Sequence, residues 1–252
     1  EFYGYYQLQG VAGSQSWDAC YARFQETLPL TFRVSECSAA GQVGPDLVLA
    51  FLLKLGVEVE PAAYYNCDKS KGTRCLLFKC PDNAPGLDVL QELGLIQRQE
   101  QNSALPPLLL NVSDSHLVLD MCAAPGSKSL QLLDIMLAEA NESLPEGMLV
   151  SNDKDGDRAA VIARRTRLQP RNSLLVTKSD AKYYPTVRRR KQQLKMRFDR
   201  VLCDVPCSSD GTMRKQRHGD RKGSLWNSWA VWPAFGLHKV QMAILRRGLE
   251  LC

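Results

Sequence analysis

No stretch of this sequence stays apolar for long enough to span a bilayer. Glu1-Phe2-Tyr3-Gly4 has nothing of a secretory signal. There is no internal repeat and no long low-complexity tract. There is also no initiator methionine, so the chain is expected to be a fragment. The phosphate-binding pattern Gly-x-Gly-x-x-Gly is missing, which argues against a dinucleotide. Gly-x4-Gly-Lys-Ser/Thr is missing too, which argues against a P-loop. Cys67, Cys75 and Cys80 form a loose cluster, but their spacings fit no zinc pattern and no histidine is near. No metal is expected.

What is present is a chain of 252 residues, 44% hydrophobic, with net charge +5. That suits a soluble globular protein of one large or two modest domains. Nine scattered cysteines, an odd number, read as reduced intracellular thiols rather than a disulfide framework. Charge is unevenly placed. Arg158 to Lys222 holds 19 Lys+Arg against 5 Asp+Glu, a balance of +14, and the remainder carries −9. A basic segment on an acidic remainder points to a polyanion, most simply nucleic acid. Arg188 to Lys191 alone reads equally as a nucleic-acid contact or a solvated loop, and its nearness to the Pro206-Cys207 segment favours RNA or DNA; Arg188 to Lys195 reads as a nuclear signal or an RNA contact.

Residues 1–112 read as a separate α+β unit and 113–252 as a second domain. In the first, helical spacing runs over Trp17 to Phe24 and a strand pattern over Leu30 to Val34. Pro45 to Leu55 and Asp88 to Leu93 read as helices, and Gly41, Gly44 and Gly56 as loop punctuation. Leu105-Pro106-Pro107 is expected to break regular structure. In the second, strands are expected at Leu117–Met121, Gly147–Asn152, Ser173–Thr177 and Phe198–Asp204. Helices are expected over Ser127–Glu139, Arg158–Arg167 and His238–Leu251. This alternation implies an α/β fold with a doubly wound parallel sheet.

Two motifs stand at strand ends. The first runs from Asp120 through Cys122, Ala123, Ala124, Pro125, Gly126, Ser127 and Lys128. A strand, a tight glycine turn and a helix N-terminus suit a ligand bearing a carboxylate. Asp153, Asp180 and Asp204 follow at the ends of the next three strands. Each alone reads as a helix cap or turn residue. In order, they line the crevice where open α/β sheets bind ligands, and favour a nucleoside-type cofactor.

The second motif is Asp204-Val205-Pro206-Cys207-Ser208. Carbon 5 of a pyrimidine is a poor nucleophile. A thiolate adding to carbon 6 makes it enamine-like, able to attack an electrophilic methyl group. Loss of the carbon 5 proton and expulsion of the thiol complete the cycle. Asp204 could bond ring nitrogen 3 or the exocyclic amine. The base must first leave its stack. Cys207 alone would read as a structural thiol; in this motif it reads as a site residue. Cys122 and Cys203 lie nearer the strand bodies and read as packing residues. Trp226, Trp229 and Trp232 recur every third residue, a spacing read as core packing ahead of base stacking.

At these residues the chain resembles the Sun-domain RNA (cytosine-5) methyltransferases, most closely the eukaryotic tRNA branch. Tyr5-Tyr6, Trp17-Asp18 and Leu28 to Val34 resemble that family's N-terminal extension. Ile96 to Glu100 and Leu105 to Leu110 resemble its entry to the catalytic domain. Cys122 to Lys128, Asn152-Asp153, Asp180 and Asp204 to Lys215 resemble its cofactor and substrate motifs. The likeness is weakest from about Pro61 to Leu87, and Arg217 to Trp232 is irregular.

The resemblance implies a Rossmann-like class I methyltransferase sheet and S-adenosylmethionine as cofactor. Cys122 through Lys128 would hold it with Asp153, Asp180 and Asp204. It also implies RNA as partner, with tRNA foremost, an N-terminal unit that helps hold it, and no membrane. The setting would be the nucleus, nucleolus or cytoplasm. In the family the Pro-Cys cysteine, here Cys207, assists product release, and the nucleophile belongs to a later Thr-Cys motif. No Thr-Cys pair occurs in this sequence. The last strands of the sheet are therefore expected to be missing and these residues alone to be inactive. The alternative is a non-catalytic RNA- and cofactor-binding module. A small-molecule methyltransferase fits the basic segment poorly.

Overall fold

The computed structural model describes residues 1–13, 16–26, 28–35, 44–62, 77–140, 144–169, 171–188, 195–215 and 225–252. Cys67, Cys75, Gly41, residues 189–194 of the basic run and residues 217–224 of the irregular stretch lie outside them. The chain divides into two compact units. One comprises Glu1–Leu28 with Val205–Ala243, the other Pro29–Asp204 with Ile244–Cys252.

The first unit holds helices α1 (Phe2–Gln9) and α2 (Trp17–Gln25). In the second, β1 (Leu30–Val34) lies between β3 (Leu77–Cys80) and β4 (Ile96–Arg98) in an antiparallel sheet. β2 (Glu60–Pro61) borders β3. Phe32 faces Phe78 across the β1–β3 pair, with ring centroids 5.7 Å apart. Helix α3 (Pro45–Lys54) buries Val48 and Leu52, four residues apart on one face, and α4 (Leu87–Glu92) buries Leu87 and Leu90. These side chains join Val34 and Ile96 in one apolar core.

Helix α5 (Leu105–Leu109) corrects the expected break at Pro106-Pro107, because the prolines head a helix. First-turn N–H groups have no partner inside a helix, so proline there costs little.

The second sheet contains β5 (Leu117–Asp120), β6 (Met148–Asp153), β7 (Leu174–Lys178) and β8 (Arg200–Leu202). All neighbours are parallel, in the order β7-β6-β5-β8. The chain therefore crosses from one side of β5 to the other between β7 and β8. Helix α6 (Ser127–Glu139) follows β5 and is buried along an unbroken run from Ser129 to Leu137. Its Leu132, Leu133 and Met136 pack with Val118, Leu149 and Leu202. Helix α7 (Gly156–Arg165) follows β6, capped by Asp155, whose side chain accepts from the Arg158 N–H at 3.0 Å.

Helices α8 (Leu225–Ser228) and α9 (Val231–Leu251) complete the described chain. α9 begins seven residues before the expected His238. Its Gly248 is buried, and a Cβ there would stand 2.9 Å from Cys203 Sγ and 3.2 Å from Met121 Sδ. The missing side chain is what lets this turn of helix approach β8 so closely.

Candidate active site

The parallel sheet brings the first motif to the carboxyl ends of its strands. Asp120 closes β5 and the chain turns through Met121–Gly126. Gly126 sits at φ +101°, a conformation L side chains rarely adopt, as the N-cap residue of α6. No side chain caps α6. Its first-turn N–H groups therefore suit a carboxylate. The turn is tied to its neighbours: Ala123 N–H donates to Asn152 O at 2.8 Å and Met121 N–H to Leu202 O at 3.0 Å.

Asp153, 4% exposed, ends β6. Its Oδ2 accepts from Ala124 N–H at 3.2 Å and its Oδ1 from Asp155 N–H at 3.0 Å. Arg158 Nη2 also stands 3.5 Å from Oδ2 as an ion pair, and Oδ1 keeps a second lone pair. Ser179 N–H donates to the Asp153 backbone carbonyl at 3.2 Å, joining the β7 end to the end of β6. Asp180 accepts from Lys182 N–H and pairs with Lys154 at 3.1 Å. Partial burial raises its pKa, but Lys154 and Lys182 outweigh that, and the net shift is downward. Asp204, beyond β8, pairs with Lys128 Nζ at 2.7 Å. That ion pair links the first turn of α6, the helix after β5, to the segment after β8, beside the point where the strand order reverses and doubly wound sheets bind ligands.

Asp120 is 1% exposed and accepts from Ser129 Oγ at 2.7 Å. Burial, with Asp204 adding to it, pushes its carboxyl up to about 7. Burial likewise raises the thiols of Cys122, to about 12, and Cys203, to about 11. Both stay protonated at neutral pH, so neither is a ready nucleophile. Cys203 Sγ lies 3.5 Å from Met121 Sδ, in a packing contact. Cys207 is exposed and belongs to the other unit, where its neighbour Pro206 O accepts from Gln241 Nε2 at 2.8 Å.

Three residues tie the turn in place: Arg158 and Arg165 were given no site role in the sequence reading, and Asn152 was read there only as a strand end and as part of the Asn152-Asp153 motif. Asn152 is fully buried; its amide donates to Met121 O and Ser179 O, and its carbonyl accepts from Thr177 Oγ1. Arg158 donates to Ala124 O at 2.9 Å, and Arg165 to Pro125 O at 3.1 Å and Ser127 Oγ at 3.0 Å. These arginines stand seven residues apart, two helical turns, on one face of α7. That spacing was the available signal; net charge alone concealed it. The tryptophans also divide. Trp229 is buried and Trp226 packs in the same aromatic cluster, whereas Trp232 is 80% exposed, so the common packing role does not extend to it.

Among the described residues, no His/Cys/Asp/Glu group could hold a metal ion, and no helix is long and apolar enough to cross a membrane.

This sheet, with a ligand turn after its first strand and acids at the following strand ends, has the Rossmann-like architecture of methyltransferases. It superposes on a methyltransferase homologue from Pyrococcus horikoshii with a TM-score of 0.68 at 20% identity, covering 96% of this chain and 67% of that one. NSun6 from the same organism gives 0.68 at 12% identity, over 98% and 78%. Residues 107–222 match the family model of 16S rRNA methyltransferase RsmB/F, and the chain belongs to that methyltransferase family.

The chain is 41% identical over 170 residues to the multisite-specific tRNA:(cytosine-C(5))-methyltransferase of Saccharomyces cerevisiae, covering 66% of this chain and 24% of that protein. It is 31% identical over 276 residues to the tRNA (cytosine(34)-C(5))-methyltransferase of Drosophila melanogaster, covering 99% and 36%. The chain thus spans about a quarter to a third of the length of these two relatives.

Proposed function

We propose that the protein transfers a methyl group from S-adenosylmethionine to carbon 5 of cytosine in RNA, with tRNA as the substrate class. The observation that carries this reading is the ligand turn with Asp153, Asp180 and Asp204 at successive strand ends, joined across the switch point by Lys128 and Asp204. Methylation of cytosine carbon 5 in tRNA is what the names of the two relatives above state.

The cofactor would supply the electrophilic methyl group. The Cys122–Lys128 turn offers backbone N–H groups and an uncapped helix end to its carboxylate. Asp153 keeps a lone pair on Oδ1 for a ribose hydroxyl, and Asp180 lies at the next strand end for the adenine edge. Asp204, held by Lys128, would bond the flipped cytosine at ring nitrogen 3 or its exocyclic amine and stabilise charge as a thiolate adds to carbon 6. Cys207 assists release of the methylated base, as the resemblance implies. Residues 1–112 help hold the RNA, in the nucleus, nucleolus or cytoplasm.

One observation favours a second reading. The family's nucleophile lies in a Thr-Cys pair, and this sequence has none. The 252 residues alone then bind cofactor and RNA without turnover. Calorimetric titration tests the site itself. Asp153→Asn is expected to weaken S-adenosylmethionine binding about tenfold or more, since hydrogen bonds to a charged group are worth roughly 1.5–3 kcal/mol. Unchanged affinity in that variant would remove Asp153 from the site. Multiple turnover by these 252 residues would refute the second reading.

A further inference from the structure

The segment that carries Cys207 is held from several sides within its own unit. Ahead of Cys207, Pro206 O accepts from Gln241 Nε2 at 2.8 Å. Behind it, Ser209 takes a positive φ of 64°, and its carbonyl accepts from Thr212 N–H at 2.8 Å and Thr212 Oγ1 at 2.7 Å. Asp210 then meets two aromatic donors. Trp229 Nε1 donates to Oδ1 at 2.7 Å, and the Tyr6 hydroxyl donates to Oδ2. Further on, Met213 is fully buried against Phe2 and Trp229, and its carbonyl accepts from Trp226 Nε1 at 3.1 Å.

Tyr6 is itself fixed by its ring, 4.8 Å from Phe2 and 5.9 Å from Trp17 between centroids. Partial burial raises the Asp210 pKa, yet the donors from Tyr6, Trp229 and Ser208 outweigh it and the net shift is downward. Burial and then Asp210 push the Tyr6 hydroxyl well up, so it stays a donor at neutral pH. Each carboxylate oxygen thus accepts from an aromatic side chain of the same cluster, Tyr6 of α1 at Oδ2 and Trp229 after α8 at Oδ1. Cys207 stays exposed between the anchors at Pro206 and Asp210.

We propose that Tyr6 and Asp210 are positioning residues for Cys207, and that through it they set the rate at which methylated RNA is released. This rests on the role given to Cys207 above. Tyr6→Phe keeps the ring and removes one donor to a charged acceptor. Amides of residues 208–213 are expected to exchange about tenfold faster in that variant, with exchange in the parallel sheet unchanged. In the intact protein supplied with tRNA and S-adenosylmethionine, Tyr6→Phe and Asp210→Asn should keep the wild-type KM for cofactor. They should lower kcat about tenfold and accumulate a protein–RNA adduct that survives SDS. Wild-type exchange at 208–213 in Tyr6→Phe overturns the proposal. So does wild-type kcat in both variants, or a loss of kcat matched only by a general loss of folded protein. If wild-type protein forms neither product nor adduct, the methyltransferase reading fails, and the exchange result still decides whether Tyr6 holds the segment.

Discussion

Asp134→Ala is expected to destabilise the parallel-sheet unit by about 3–5 kcal/mol, measured by equilibrium denaturation with hydrogen exchange reporting on α6. Asp134 lies on α6 and forms an ion pair with Arg33 of β1; the two side chains are 5% and 1% exposed. Burial holds the Asp134 carboxyl above the usual carboxylate range even though Arg33 pulls it down. Removing one member leaves the other charged group buried without its counterion, which costs more than the pair contributed. Arg33 also donates through Nε to Gln99, whose amide donates to Gln131 at 2.6 Å, so the loss would spread through a polar network between β1 and α6. Replacing both members, Arg33→Met with Asp134→Leu, is expected to recover most of the loss. A double variant as unstable as Asp134→Ala would mean that the network, rather than the orphaned charge, sets the cost.

The second large effect is a pH dependence. Asp120 stands at about 7 in the fold against an ordinary 3.8. Between those values the folded state binds more protons than the unfolded one, so stability falls as pH rises. The stabilisation is complete below about pH 4 and lost as pH passes about 7, amounting to on the order of 4 kcal/mol. Asp120→Asn removes the charge and can still accept from Ser129. It should therefore flatten the fall between about pH 4 and about pH 7 and be the more stable protein at about pH 8. Asp134 shifts in the same direction, but it is present in both proteins and cancels from the difference. Parallel stability curves for wild type and Asp120→Asn would show that the Asp120 carboxyl is ionised throughout, despite its burial.

Much of the parallel sheet was legible because its signals are local. The Ser127–Glu139 helix, the strands at Leu117 and Gly147 and the acids after them follow from apolar runs, glycine and chain order. The fourth strand was drawn too long: β8 keeps only Arg200–Leu202, paired with Val118–Asp120. The packing of the first unit was not legible. Phe2, Met213 and Trp229 are buried together although they lie more than 200 residues apart along the chain at the extreme, and no periodicity links them. Asp210 was read only as part of a motif, because its partners Tyr6 and Trp229 come from the two ends of that unit. Asn152 was read only as part of a motif for a similar reason: the bonding role of a polar residue in a buried strand becomes interpretable only when its three partners are in place.

The most direct measurement is methyl transfer by the intact protein. Incubated with tRNA and S-adenosylmethionine labelled on its methyl group, it should place label at carbon 5 of cytosine, and Asp204→Asn should abolish most of that incorporation. Folded protein that binds the cofactor but leaves carbon 5 unlabelled would contradict the account.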